Sequence, residues 1–243
     1  MAILEINHLK KSFGQQTVLK DVHFSVKEHT IFGFIGQNGA GKTTTIKAIA
    51  GILDFEEGEI LVNGKSMKDN PLECKKEIAY IPDQPVLYEH LSGIRYLNFI
   101  SDVYHISSIE RNKAIVDLAT KFELLENLEN PIHTYSHGMK QKLLLISAFV
   151  RKPRLLILDE PFVGLDPKAS LVLKQEMNDL CQTGSSIFYS THVLEVAEKL
   201  CNKVAMINEG KLVFTGEMND ITEHGTLENI FLQYVDSNRE CQP

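Results

Sequence analysis

The chain has 243 residues, of which 43% are hydrophobic and 23% charged, and its formal net charge is −7. A chain of this length and composition can bury one large globular core, and its acidic balance disfavours a nucleic-acid-binding surface as the main function. No apolar stretch approaches the roughly 20 residues of a membrane-spanning helix, and the four cysteines lack the spacing of a zinc site or a disulfide framework.

The N-terminal third of the chain alternates short β-type runs with turns. We expect strands over residues 3–6, 22–26, 31–35, 59–62 and 78–81. The opening residues read as a strand and lack the basic-then-apolar order of an export signal, so we expect a soluble chain in a reducing compartment. Phe13, between the first two strands, is either a core residue or an aromatic ring that stacks on a nucleotide base.

A glycine-rich segment, residues 36–44, joins the third strand to a helix expected over 42–51. Its spacing, G-x-x-x-x-G-K-[ST], in a strand–turn–helix context is that of a phosphate-binding loop rather than a chance surface turn. Glycines let successive N–H groups converge on phosphate oxygens, and the helix start adds more donors. We expect Lys42 to neutralise the β- and γ-phosphates and Thr43 to ligate Mg²⁺. The expected nucleotide-binding residues are Gly36, Gln37, Asn38, Gly39, Ala40, Gly41, Lys42, Thr43 and Thr44.

From about residue 87 to 151 the pattern changes from strand to helix. Apolar residues recur three and four positions apart over 94–103, 109–122 and 136–150. Such a block between strands predicts a helical subdomain inserted into an α/β core. At its start, Val86, Leu87 and Tyr88 either pack inside the subdomain or form a contact surface, and both alternatives stay open.

The second half of the chain returns to the α/β pattern. Residues 155–158 form an unbroken apolar run, typical of a central parallel strand covered on both faces. The elements expected after it are a helix over 168–181, a strand over 186–190, a helix over 193–200, strands over 203–207 and 211–215, and a tail helix over 228–235, with 236–243 loose.

Two adjacent acids, Asp159 and Glu160, end the buried strand 155–158. Open α/β sheets bind ligands at the carboxyl ends of their strands. We expect Asp159 to hold Mg²⁺ and Glu160 to polarise an attacking water. Acids at this position can also simply begin a turn, but the phosphate loop supplies the other half of a phosphate-transfer site and favours the chemical interpretation.

Three further segments contain candidate site residues. Ser136, His137 and Gly138 precede a long apolar helix, where they form either a plain helix cap or a second anion-binding N-terminus. Asp166, in a Gly-Leu-Asp-Pro segment, follows the acidic pair closely. His192 comes just after the strand 186–190, within plausible reach of the pocket that contains Glu160.

Together these segments resemble the ATP-binding subunit of ABC transporters over about residues 4–213, nearest to bacterial export-type cassettes of the Ecs and bacitracin/multidrug groups. The motifs are the phosphate loop 36–43, the signature 135–141, the acidic motif 155–160 and the switch residues Asp166 and His192. The resemblance implies an α/β P-loop NTPase with a peripheral antiparallel β portion and an inserted helical subdomain. It implies one domain over 1–243, with the helical subdomain at about 87–151 and a short tail at about 225–243.

The resemblance also implies a mechanism. Two cassettes would pack head to tail, with ATP and Mg²⁺ between one phosphate loop and the partner's Ser136–Gly138 segment. Glu160 would act as the base and His192 would contact the γ-phosphate, while Lys42 would neutralise charge. Asp166 would order the dimer seam and Phe13 would stack on adenine. The chain would be cytoplasmic, held on the inner face of the membrane by separate membrane-spanning subunits, and would drive transport, with export favoured; nucleic acid is not an expected partner.

Two positions depart from the family pattern. Where the family has Gln after the strand 78–81, this chain has Asp83 in register with Gln84 beside it, and either could sense the metal. His137 replaces the usual first glycine of the signature and adds bulk beside the partner's ATP. The alternative function is a soluble ABC ATPase that acts as a switch in translation or DNA repair, although the fused second cassette or long coiled coil of such proteins is not found here.

Overall fold

The computed structural model describes residues 1–237, which form a ten-stranded mixed sheet with helices packed on it. The strands are β1 (Ala2–Phe13), β2 (Gln16–Lys27), β3 (Ile31–Ile35), β4 (Glu57–Val62), β5 (Lys65–Ser66), β6 (Ile78–Ile81), β7 (Leu155–Asp159), β8 (Ser186–Thr191), β9 (Lys203–Asn208) and β10 (Lys211–Glu217). Their order across the sheet is β5-β4-β1-β2-β10-β9-β3-β8-β7-β6.

Nine helices are described, of which the last two follow β10 and the others lie between strands. They are α1 (Lys42–Ile49), α2 (Pro71–Glu77), α3 (Gly93–Val103), α4 (Ser108–Lys121), α5 (His137–Arg151), α6 (Pro167–Gln182), α7 (Leu194–Leu200), α8 (Met218–His224) and α9 (Leu227–Ser237). Short 3-10 turns at Leu125–Asn127 and Ile132–Thr134 join α4 to α5. Within residues 1–237, none of the helices combines the length and apolar character needed to cross a bilayer.

The sheet has a parallel and an antiparallel part. Strands β9, β3, β8, β7 and β6 run parallel, and β1 pairs antiparallel with β2 and with β4. Strand β10 joins the two parts, because it pairs antiparallel with β9 and parallel with β2. The expected α/β core with a peripheral antiparallel portion is therefore confirmed.

Two apolar clusters cover the two faces of the parallel strands. On β3, Ile31 and Ile35 belong to one cluster, and Phe32 and Phe34 belong to the other. This alternation follows from the pleat, which sends successive side chains to opposite faces. All residues of β3, β7 and β8 are buried, so the unbroken apolar runs correctly indicated central strands. Their carboxyl ends form a rigid edge for the site described below.

The three long helices of the segment 87–151 begin and end within one residue of the predicted bounds. Each starts at a serine N-cap whose side chain accepts a backbone N–H bond. At the end of α5, the Arg151 guanidinium donates to Ile78 O on β6 at 2.8 Å and stacks on Tyr104. At the start of the segment, Val86 and Tyr88 are exposed, whereas Leu87 packs against the core.

Several expected bounds were wrong. Strands β1 and β2 were predicted too short at about five residues; each is 12 residues long, and register shifts in their pairing interrupt the alternation of apolar and polar residues. Helices α2 and α8 were missed, since each has only seven residues and too few turns to show periodicity. The tail helix continues to Ser237, so the prediction of a loose end is wrong for residues 236 and 237. The remainder of that predicted end, residues 238–243, lies outside the described residues.

Cys74, Cys181 and Cys201 are free thiols.

Candidate functional site

The glycine-rich loop connects the end of β3 to the start of α1, as the sequence predicted. Gly39 and Gly41 have φ values of +83° and +111°, a region that other residues resist. At Gly36, an added Cβ would lie 2.5 Å from the Ile207 carbonyl oxygen. The loop can therefore curl tightly against β9 only with glycine at these positions, and this curl brings its N–H groups toward one concavity.

Lys42, the first residue of α1, is almost fully buried. Its Nζ donates to Gly36 O at 2.7 Å and to Gln37 O at 3.3 Å, and it lies 3.5 Å from Glu160 Oε1. A buried ammonium needs such partners because desolvation disfavours an unpaired charge. The cation is thus held inside the loop, beside the acidic pair of β7.

Asp159 connects the loop to the sheet. Its side chain is buried, and Thr43 Oγ1 donates to Asp159 Oδ2 at 2.9 Å. Ser190, its neighbour across the β7–β8 ladder, donates to Asp159 Oδ1. Burial raises the pKa of the Asp159 carboxyl above its ordinary value, and the hydrogen bonds from Ser190 and Thr43 oppose that shift. A hydroxyl and a carboxylate at this distance are hard oxygen donors that fit Mg²⁺.

Glu160 follows directly, with a left-handed backbone at φ +48°. Its Oε1 lies 3.0 Å from His192 Nδ1, although neither this contact nor the one to Lys42 is aligned as a hydrogen bond. The Glu160 N–H donates to Ser190 Oγ at 3.2 Å, which helps to hold the unusual backbone. One carboxylate oxygen beside the loop is thus left without a hydrogen-bond partner, and a water molecule could use it.

These groups surround a cavity of about 310 Å³. It is lined by Val18, Gln37, Asn38, Gly39, Gly41, Lys42, Thr43, Thr44, Asp83 and Glu160. Asp83 is among them, whereas Gln84 lines a separate cavity together with Pro85, His137 and Lys140. Of the two metal-site alternatives, only Asp83 faces the phosphate loop.

The signature segment lies apart from that cavity. Ser136 caps α5 by accepting from Met139 N–H at 3.2 Å, and both Ser136 and His137 are exposed. The first and last residues of the motif, Tyr135 and Gln141, are buried. An added Cβ on Gly138 would lie 2.8 Å from Gly164 O, so this tip packs closely against the loop that precedes α6.

Phe13, Asp159, Asp166 and His192 also lie outside the cavity lining, and His192 lines a neighbouring cavity with Gly36, Gln37 and Asn38. Phe13 ends β1 and is half exposed, with Lys11 Nζ 5.3 Å from its ring centroid. Asp166 caps α6 through Ala169 N–H at 2.8 Å and lies 2.7 Å from Lys142 Nζ on α5. One chain therefore assembles the phosphate loop, the acidic pair, Asp83 and His192, and it leaves Phe13, Ser136, Gly138 and Asp166 away from them.

Three residues that line the cavity or contact predicted site residues were not predicted from the sequence. Val18 lines the cavity from β2. Ser190 Oγ donates to Asp159 Oδ1 and accepts from the Glu160 N–H, and Lys142 pairs with Asp166. A serine at the end of the strand 186–190 was a usable signal for Ser190, because adjacent parallel strands end together. Val18 and Lys142 gave no local signal.

Comparisons with known proteins agree with the geometry of the site. The sequence model of the family described as ABC transporter matches residues 19–163. The chain is 35% identical to the ABC-type transporter ATP-binding protein EcsA of Bacillus subtilis, covering 96% of both chains. It is 32% identical to the linearmycin resistance ATP-binding protein LnrL of the same organism, covering 90% of this chain and 70% of LnrL. A solved structure of an ATP-binding subunit of an ABC transporter superimposes with a TM-score of 0.91 at 35% identity, covering 96% and 99% of the two chains.

Proposed function

The chain belongs to the ABC transporter family as an ATP-binding subunit, and on that premise we propose that it hydrolyses ATP between two head-to-tail cassettes to drive transport. The observation that carries this proposal is a site built in two separated halves. The cavity is lined by Lys42, Asp83 and Glu160, with His192 beside Glu160, while the Ser136–Gly138 tip, whose Ser136 and His137 are exposed, lies outside it. A second copy of that tip would complete the pocket.

In the proposed reaction, ATP occupies the cavity with its phosphates on the loop N–H groups and Lys42. Lys42 Nζ has three N–H donors, and two of them now bond the Gly36 and Gln37 carbonyls, so the third would be available to the γ-phosphate. Thr43 and Asp159 would hold Mg²⁺, with Asp83 as the third oxygen donor. The ion, when bound, neutralises the charge that develops on the phosphates.

Glu160 is the proposed general base. Its unpartnered oxygen accepts a proton from the attacking water, whose oxygen forms a bond to the γ-phosphorus. The bond from the γ-phosphorus to the β–γ bridging oxygen breaks at the same time, which releases ADP and inorganic phosphate. His192, whose Nδ1 is 3.0 Å from the same oxygen, would contact the γ-phosphate. The strained backbone at residue 160 is consistent with such a role, since strain concentrates at functional positions.

The partner cassette would supply the other half. The free N–H groups at the start of its α5 and the Ser136 hydroxyl would meet the γ-phosphate, as helix N-termini favour anions. His137 adds an imidazole at that contact. Asp166 would lie at the seam between the cassettes, and Phe13, half exposed, is open for an adenine ring.

The membrane partner would dock on an exposed apolar surface at the start of the helical segment. Val86, Tyr88 and Phe99 are 80%, 60% and 44% exposed, and the Tyr88 and Phe99 rings meet edge to face at 5.7 Å. Adjoining exposed apolar side chains mark protein contact sites. Export is the proposed direction, supported by the likeness to an ATP-binding protein named for linearmycin resistance.

Glu160→Gln tests the proposal. This variant keeps the shape of the site and removes the base, so it should bind ATP with Mg²⁺, hydrolyse it at least about a hundredfold more slowly and elute as a dimer only when ATP is present. Size-exclusion chromatography with light scattering and a phosphate-release assay measure both effects. Glu209→Gln is the matched control, since Glu209 is an exposed glutamate that also has a positive φ. The proposal fails if the Glu160→Gln protein with ATP stays monomeric both alone and beside its membrane subunit, or turns over at the wild-type rate.

A further inference from the structure

The solvent-exposed face of the β1–β2 pair contains a group of metal-ligating side chains that the nucleotide site does not use. His8, Asp21 and His23 each offer a ligand atom, and these atoms lie within 4.8 Å of one another. His8 Nδ1 is 2.9 Å from Asp21 Oδ1, and the two imidazole centroids are 5.5 Å apart. None of the three lines the cavity that contains Lys42 and Glu160.

A β-bulge creates this arrangement. In the ladder, Ile6 pairs with Phe24 and Leu9 with Val22, so residues 7 and 8 of β1 together oppose the single residue His23. Ile6 and Leu9 are both buried. In a regular strand successive side chains point to opposite faces, so residues 6 and 9 could not both face the core. The extra residue turns His8 outward beside His23, in the manner in which bulges re-aim side chains.

The backbone holds His8 in this position. His8 has a left-handed φ of +50°, which is uncommon for a non-glycine residue. On the other side of β1, Gly58 of β4 lies so close that an added Cβ would be 2.6 Å from His8 O. Asp21 and His23 are two residues apart on β2 and therefore share one face. Three ligands on two hydrogen-bonded strands are thus placed by the sheet itself.

Charges of both signs surround the group. Lys10 Nζ is paired with Glu57 at 2.7 Å, and the exposed Lys211 lies opposite Asp21 in the β2–β10 ladder. On the neighbouring strand β4, Glu59 lies opposite Asn7 and adds negative charge. An approaching metal ion therefore meets the carboxylate of Asp21 and two imidazoles, with Lys10 neutralised by Glu57 and with Lys211 on the next strand.

We propose that His8, Asp21 and His23 form a binding site for a divalent transition-metal ion such as Zn²⁺, Ni²⁺ or Cu²⁺. Two imidazoles with one carboxylate select these borderline ions over Mg²⁺ and Ca²⁺, which prefer oxygen ligands. Three protein ligands leave coordination positions open for water or an added group. The bound ion would tie β1 to β2 at the bulge.

Zn²⁺ alone is the probe for the first test, by calorimetric titration of tag-free, chelator-treated protein without nucleotide. Excess Mg²⁺ is present throughout, because it competes for oxygen ligands at the nucleotide site and poorly for imidazole. We expect one Zn²⁺ per chain, with binding weakened at least about tenfold in His8→Ala, His23→Ala and Asp21→Asn. The matched control is His105→Ala, which removes another exposed histidine with a positive φ and should leave binding unchanged.

Electron paramagnetic resonance of bound Cu²⁺ gives an independent measurement. The wild-type spectrum should show coupling to two imidazole nitrogens, and His8→Ala or His23→Ala should each remove one. Circular dichroism and the ATPase rate report whether the variants are folded, and both should match the wild type. Absence of stoichiometric Zn²⁺ binding, or Zn²⁺ binding that survives both histidine substitutions, overturns the proposal without bearing on ATP hydrolysis.

Discussion

Asp83 and Gln84 are adjacent in the chain, yet they line different cavities. Asp83 lines the cavity of the phosphate loop, and its charge contributes to the raised pKa of Asp159. Gln84 lines a cavity together with His137 and Lys140 of the signature region, and its N–H donates to Asp83 Oδ1 at 2.8 Å. This placement favours the carboxylate as the residue that senses the metal, although the family normally uses an amide.

Separate substitutions at these two residues test that assignment. Asp83→Ala should raise the Mg²⁺ concentration for half-maximal ATPase activity at least about tenfold, because it removes an oxygen donor from the cavity. Gln84→Ala, the control beside it, should leave that concentration within about twofold of the wild type. Magnesium titrations of the ATPase rate measure both. A shift in the Gln84 variant alone would transfer the role to the amide.

At the scale of single elements, α6 depends on Asp166 for its start. The carboxylate accepts from Ala169 N–H and pairs with Lys142 on α5, and these contacts hold the pKa of Asp166 below its usual value. The residue thus has a structural role within one chain, in addition to the role proposed for it at the dimer seam. The two roles call for different substitutions.

Asp166→Ala removes both the cap and the ion pair, whereas Asp166→Asn keeps the cap. We expect Asp166→Ala to lower the free energy of unfolding by about 1 kcal/mol. Asp166→Asn should lose less than about 0.5 kcal/mol, because the ion pair is partly exposed. Lys142→Met, which removes only the ion pair, is the matched control and should resemble Asp166→Asn. Urea unfolding measures all three, and equal losses in the Ala and Asn variants would show that capping contributes nothing.

At the scale of the whole molecule, the separation of Ser136 from the phosphate loop predicts complementation between two inactive chains. Lys42→Ala disables the loop half of a site, and Ser136→Asp disables the tip half by repelling phosphate, while Asp still caps α5. A mixed head-to-tail dimer contains one intact site. Random pairing of equal amounts makes half of the dimers mixed, so about a quarter of wild-type ATPase activity should return.

The control for this experiment mixes Lys42→Ala with Glu160→Gln. Both changes lie in the same half of the site, so every dimer in that mixture has two defective sites and no activity should return. Ser136→Asn separates repulsion from loss of the hydroxyl, because it caps the helix without the charge. If the Lys42→Ala and Ser136→Asp mixture stays inactive, the head-to-tail arrangement of this chain with itself is wrong.

Local patterns predicted much of this fold. Helices α3, α4 and α5 were placed within one residue, because each is long enough for its 3.6-residue period to show. Short elements such as α2 were missed for the opposite reason. Strand β1 was predicted too short, since the bulge at residues 7 and 8 interrupts the alternation on which strand prediction depends.

The sequence by itself predicted the phosphate loop, because its glycines, Lys42 and Thr43 are contiguous and the curl of the loop depends on its own backbone. It also indicated Asp159 and Glu160, which end an apolar run. Only the tertiary structure decided which distant residues meet. Ser190 beside Asp159, Lys142 beside Asp166, and His8 beside His23 each depend on strand register or helix packing. Register and packing are set by the burial of the whole core, so no short segment of the chain contains them.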